Sequence, residues 1–202
     1  MKMSPDPYRT DTRCTAFLDD RRIAAGELRH VALRAQQALE AQPEAQLLIF
    51  DDADAGLIDL DLRGGAAEIV QRLNRGEVPV AAEAEPTKRG RGRPKLGVVA
   101  REVTLLPRHW QWLSAQPGGA SVALRKLVDA ARRQHAEGDL RRAAQERAYR
   151  FLSSMGGDRA GFDEATRALF AGDSLKFEAE IAAWPDDVRD HATMLAADAW
   201  PH

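Results

Sequence analysis

Between Arg75 and Thr87 the sequence loses every hydrophobic period: Pro79 and Pro86 interrupt it, a run of alanine and glutamate fills Ala81 to Glu85, and no aromatic residue occurs. Neither a helical stripe nor a strand alternation can pass through such a stretch, so the chain is expected to fold on either side of a linker. That linker continues into Lys88-Arg89-Gly90-Arg91-Gly92-Arg93-Pro94-Lys95, where five of the 29 Lys and Arg residues are gathered. Outside this segment 24 basic residues face 31 acidic ones, a net charge of −7, against −2 for the whole 202-residue chain. A cationic arm is therefore carried by an acidic body, and only the arm gives a reason to expect nucleic acid.

The length is sufficient for a core that needs no covalent staples. Cys14, the one cysteine, precludes an intrachain disulfide and any multi-cysteine zinc site. Met1-Lys2-Met3-Ser4-Pro5-Asp6-Pro7 lacks the apolar run of a signal peptide, and no stretch approaches membrane-spanning length. A soluble protein of the cytoplasm is expected.

Periodicity predicts an α+β chain in four parts. The first, 12–76, is an N-terminal domain ordered strand, strand, helix, strand, strand, helix. Thr15 to Asp19 and Ile23 to Gly26 form a hairpin across Asp20 and Arg21. Leu28, Val31, Ala32, Ala35 and Leu39 mark an amphipathic helix over Glu27 to Gln42. Leu47-Leu48-Ile49-Phe50 and the alternating Ile58-Asp59-Leu60-Asp61-Leu62 give two antiparallel strands, with turn residues from Asp51 to Gly56 between them. A helix over Gly65 to Asn74 presents Ala66, Ile69, Val70 and Leu73 to the sheet.

The second part, 77–97, is the flexible linker with its basic arm. In the third, 98–136, Glu102 to Leu105 reads as a strand, Pro107 opens a helix carrying Trp110 and Leu113, and Ser121 caps another helix whose stripe is Val122, Leu124, Leu127, Val128 and Ala131. Trp112 falls off the stripe of Trp110 and Leu113 and suits a contact between protomers or domains. Glu137-Gly138-Asp139 is expected to break the helix. The fourth part, 137–200, is helical: one helix through Phe151 and Leu152 ends at Gly156 and Gly157. Three shorter ones follow around 163–170, 173–183 and 185–197, and Leu169, Phe170, Phe177, Ile181, Trp184, Val188 and Leu195 form a small core.

The narrow minor groove of A·T-rich DNA has an enhanced negative potential that favours inserted arginines. Arg91 and Arg93 can supply them; Gly92 between them lets the backbone approach the base edges, and Pro94 holds Arg93 extended. Lys88, Arg89 and Lys95 would neutralise phosphates. Arg91-Gly92-Arg93-Pro94 with these flanks resembles the AT-hook of high-mobility-group chromatin proteins, which implies A·T-rich double-stranded DNA as the partner.

Residues Glu102 to Arg133 resemble the ribbon-helix-helix fold of bacterial repressors and antitoxins. The resemblance implies a homodimer whose strands pair between protomers, with Val103 and Leu105 in the core, Thr104 at base edges and the backbone near Ser121 at phosphate. Ala100 and Glu102, the other groove-facing positions, offer little to a base. Over nearly its whole length the chain is also similar to an uncharacterised bacterial family, domain of unknown function 2239, through Leu48-Ile49-Phe50-Asp51-Asp52, Ile58 to Gly64 and Gly92 to Arg108. That resemblance implies no activity.

Catalytic, cofactor and metal chemistry find no support. Asp51, Asp52, Asp54, Asp59 and Asp61 crowd one hairpin, but the alternation puts Asp59 and Asp61 on a solvent face. His30, His109, His135, His191 and His202 show no ligand spacing and are expected as surface or half-buried residues. Gly119-Ala120-Ser121 lacks the remaining glycine of a nucleophile elbow, and Cys14 is expected in a disordered terminus. The function expected is therefore DNA binding, as a transcriptional regulator or nucleoid-associated factor. The alternative is an adaptor whose N-terminal domain binds an unidentified protein and whose basic segment is only a linker.

Overall fold

The computed structural model describes residues 11–76, 99 and 101–201. In chain order these form β1 (Arg13–Leu18), β2 (Arg21–Glu27), α1 (Leu28–Ala41), β3 (Leu47–Asp51), α2 (Ala66–Gly76), α3 (Pro107–Ser114), α4 (Gly119–Gly156), α5 (Phe162–Ala171), α6 (Ser174–Ile181) and α7 (Asp186–Leu195). They fall into two compact units. One combines the described residues of 1–79 with those of 139–202; the other comprises the described residues of 80–138.

The first unit is organised by a three-stranded antiparallel sheet of order β2-β1-β3. Asp19 makes the hairpin turn at φ 51, a left-handed conformation that aspartate tolerates. Its carboxylate also accepts the Gln46 amide at 2.9 Å while its own amide donates to the Gln46 carbonyl at 2.7 Å, which ties the start of β3 to the hairpin.

Because side chains alternate along a strand, central β1 must bury both of its faces. Cys14 and Ala16 meet Ile49, Leu28, Val31, Ala32, Ala35, Ile69 and Leu73, the layer supplied by α1 and α2. Phe17 and Phe50 enter a second cluster with Ala148, Phe151, Leu152, Phe177, Ile181 and Val188. Helices therefore cover the sheet on both sides. The sequence reading set 12–76 and 137–200 apart, whereas in the folded chain they share this second cluster. The physical reason is the far face of the sheet: two phenylalanines there need apolar cover, and the C-terminal helices provide most of it.

Two elements differ from expectation here, and a third does in the second unit. Residues 58–62 are not a strand: Phe50 and Leu57 form an isolated bridge, and the Ile58 amide donates to the Ile49 carbonyl at 2.8 Å, but no ladder follows. Ile58, Leu60 and Leu62 nevertheless pack into the α1/α2 layer, so the alternation reports one-sided burial of an extended segment. Nor do Glu137-Gly138-Asp139 break a helix, since α4 runs through them. One interior glycine costs about 1 kcal/mol relative to alanine, too little to end a helix of good formers.

In the second unit only Leu113 and Ala123 are buried among the described residues. Residues 101–106 form neither strand nor helix, contrary to the expected strand over 102–105. Val103 is 54% exposed rather than in a core, and Trp110 and Trp112 are exposed as well. No strand among the described residues pairs with 101–106, so the ribbon-helix-helix strand is not formed.

Candidate nucleic-acid interface

The arm residues Lys88, Arg89, Arg91, Gly92, Arg93, Pro94 and Lys95 lie outside the described residues. The other two expected contacts lie within the second unit. Thr104 is exposed in the irregular 101–106 segment. Ser121, also exposed, is not the cap: α4 begins two residues earlier, at Gly119, where Gly118 and Gly119 both have positive φ. These glycines turn the chain from α3 into α4 without the steric penalty a side chain would meet.

The expected stripe of α4 is largely open. Leu127 and Val128 are exposed, and every residue from Arg125 to Leu140 is exposed in turn. This stretch includes Arg125, Lys126, Arg132 and Arg133. None of the four has a carboxylate partner among the described residues. Several cations of the first unit are placed differently. Arg147 pairs with Asp198 at 3.1 Å, Arg150 with Asp54 at 3.0 Å, Lys176 with Glu164 at 3.0 Å and Arg189 with Asp186 at 2.9 Å, while Arg159 meets Asp20. Paired guanidinium groups have lower capacity for phosphate, because each new contact must displace an existing one.

The acidic hairpin is internally bonded. Asp52 accepts the Thr15 hydroxyl at 2.8 Å, Asp51 the Ala53 amide at 2.8 Å, and Asp54 the Gly56 amide at 2.8 Å. Hydrogen bonds from Arg63, side chain before backbone, hold the Asp61 carboxyl well below the usual carboxylate range. Among the described residues no group of three or more His, Cys, Asp or Glu side chains is placed to hold a metal ion. An open groove of about 340 Å³ is lined by Gln36, Leu39, Glu40, Pro43, Leu62 and Gly64. Its polar groups are committed to one another: the Gln36 amide donates to Glu40 at 3.2 Å and to the Gly64 carbonyl at 2.5 Å.

Two residues are placed differently from the sequence reading. Cys14 belongs to β1 and is buried; burial, then the charges of Asp52 and Asp51, pushes its thiol up to about 12. Such a thiol is a core group and not a nucleophile at neutral pH. His191, expected as a surface or half-buried residue, is 2% exposed, with its ring 5.3 Å from that of Phe17 and 4.7 Å from that of Phe151. Among the described residues its Nδ1 has no hydrogen-bond partner, and burial, aided by the charge of Arg22, lowers its pKa to about 4. The spacing of Val188, His191, Ala192 and Leu195 on one helical stripe was the available signal for this burial.

A family described as an uncharacterized protein conserved in bacteria, DUF2239, matches residues 13–196. No curated protein and no solved structure matches the chain. Among the described residues no helix is long and apolar enough to cross a membrane.

Proposed function

The chain belongs to the DUF2239 family, whose description names no activity, and we propose from its own residues that it binds A·T-rich duplex DNA as a bacterial transcriptional regulator or nucleoid-associated factor of the cytoplasm. The observation that carries this reading is the partition of charge. Residues 80–138, the span of the second unit, hold eleven Lys and Arg against five Asp and Glu, a net charge of +6, while the remainder holds 18 against 26, a net charge of −8. A cationic unit attached to an acidic body attracts phosphate locally and keeps the body away from it.

Within that unit Arg91 and Arg93 enter the minor groove, Gly92 allows the approach, Pro94 extends the chain, and Lys88, Arg89 and Lys95 contact phosphates. One such arm binds weakly, and a homodimer joins two. The exposed Val103, Leu106, Trp110, Trp112, Leu127 and Val128, beside only two buried residues among those described, support dimerisation through this unit.

Titration of A·T-rich and G·C-rich duplexes with the intact chain and with Arg91→Ala/Arg93→Ala tests the reading. The intact chain is expected to prefer the A·T duplex, and the double substitution to abolish the preference. Equally negligible binding of both duplexes by the intact chain would instead support an adaptor whose N-terminal domain recruits a protein.

A further inference from the structure

A helix advances 100° and 1.5 Å per residue. Arg125, Lys126, Arg132 and Arg133 of α4 therefore fall within an arc of about 120°, with Asp129 the one acidic residue among them. Leu124, Leu127 and Ala131 lie on the opposite side. Arg125 and Lys126 form one rank of charge and Arg132 and Arg133 a second, about 10 Å further along the axis, a separation close to the roughly 12 Å width of the major groove. All four side chains are exposed, and none has a carboxylate partner among the described residues, in contrast to Arg147, Arg150, Arg159, Lys176 and Arg189 of the other unit.

We propose that this face of α4 is a second contact to DNA, one that grips the phosphates of a duplex without reading its sequence. The inference rests on the DNA-binding reading above but assigns residues distinct from the arm. Three of the four are arginines, whose planar forks suit phosphate oxygens. An anionic lipid surface is the lesser fit, because a helix lying in a membrane interface needs a broad apolar face with large side chains. Over Ser121 to Gly138 that side offers Leu124, Leu127 and Ala131, with Val128 at its edge, and no aromatic residue.

The test uses the full chain, A·T-rich and G·C-rich duplexes, and vesicles containing anionic lipid, each titrated over a range of salt concentrations. The variant Arg125→Gln/Lys126→Gln/Arg132→Gln/Arg133→Gln removes the charge while keeping long helix-forming side chains, and Arg125→Lys/Arg132→Lys/Arg133→Lys restores it. The glutamine variant is expected to bind both duplexes at least tenfold more weakly, to keep the A·T preference, and to lower the slope of log affinity against log salt by about 3 to 4. The lysine variant should restore the slope. An unchanged duplex affinity and slope in the glutamine variant overturns the proposal, as does a loss confined to vesicles. If the intact chain shows no A·T preference yet the glutamine variant still lowers the slope, the arm reading fails and the helix contact stands. If the intact chain binds no duplex, both fall.

Discussion

Phe17 of β1 packs its ring against that of Phe151 in α4, with centroids 5.4 Å apart and planes inclined by 53°. Phe50 of β3 meets the same Phe151 ring at 5.0 Å, and His191 of α7 closes the group. The beginning of the chain and its last helices are therefore stabilised by the same contacts.

Phe151→Ala is expected to cost about 3 to 5 kcal/mol, the range for an emptied aromatic site in a packed core. Because the sheet and the C-terminal helices share that site, the loss should appear as one cooperative shift of the urea transition, equal by far-UV circular dichroism and by tryptophan fluorescence. Two separable transitions, with only one displaced, would show that the clusters fold independently.

His191 gives stability a pH dependence. Its folded pKa of about 4 lies below the ordinary value of 6.5, so between these limits the unfolded chain takes up a proton that the folded chain excludes. Stability should fall as pH drops from 6.5 towards 4, by about 3 kcal/mol in all from this group. His191→Leu should flatten the curve in that window, measured by thermal unfolding at fixed ionic strength, and an unchanged slope would refute the assignment.

Cys14 should resist labelling. With its thiol pushed up to about 12 and its side chain enclosed by α1 and the sheet, a disulfide reagent at pH 8 should leave the native chain unmodified over the time that completes the reaction in urea. Rapid labelling of the native chain would mean that β1 opens readily.

Gly156 ends α4 beneath Trp184, whose indole Nε1 donates to the Ala160 carbonyl at 2.9 Å. A Cβ at position 156 would overlap the indole ring. Gly156→Ala is therefore expected to lower stability by about 1 to 3 kcal/mol, as overpacking does, and to shift the tryptophan emission. An unaltered melting temperature would exclude the close approach.

Local chemistry determined a large part of this protein. The stripe of Leu28, Val31, Ala32 and Ala35 marked α1, the hairpin was legible across Asp20 and Arg21, one residue past the turn at Asp19 and Asp20, and Gly156 marked the end of α4, because each depends on neighbours a few residues away. What tertiary structure decided depends on residues far apart in the chain. Ile58, Leu60 and Leu62 alternate as a strand would, yet only the geometry of β3 determined that they pack without a ladder. His191 was a polar residue with several possible settings until Phe17 and Phe151 enclosed it. For the candidate interface the division is similar: charge and spacing identified the basic residues, but that Arg125, Lys126, Arg132 and Arg133 form no ion pair among the described residues, even with Asp129 on their own face, is seen only in the folded chain. Sequence periodicity reports which face of an element is apolar; which distant surface covers that face, or leaves it open, is set by the fold.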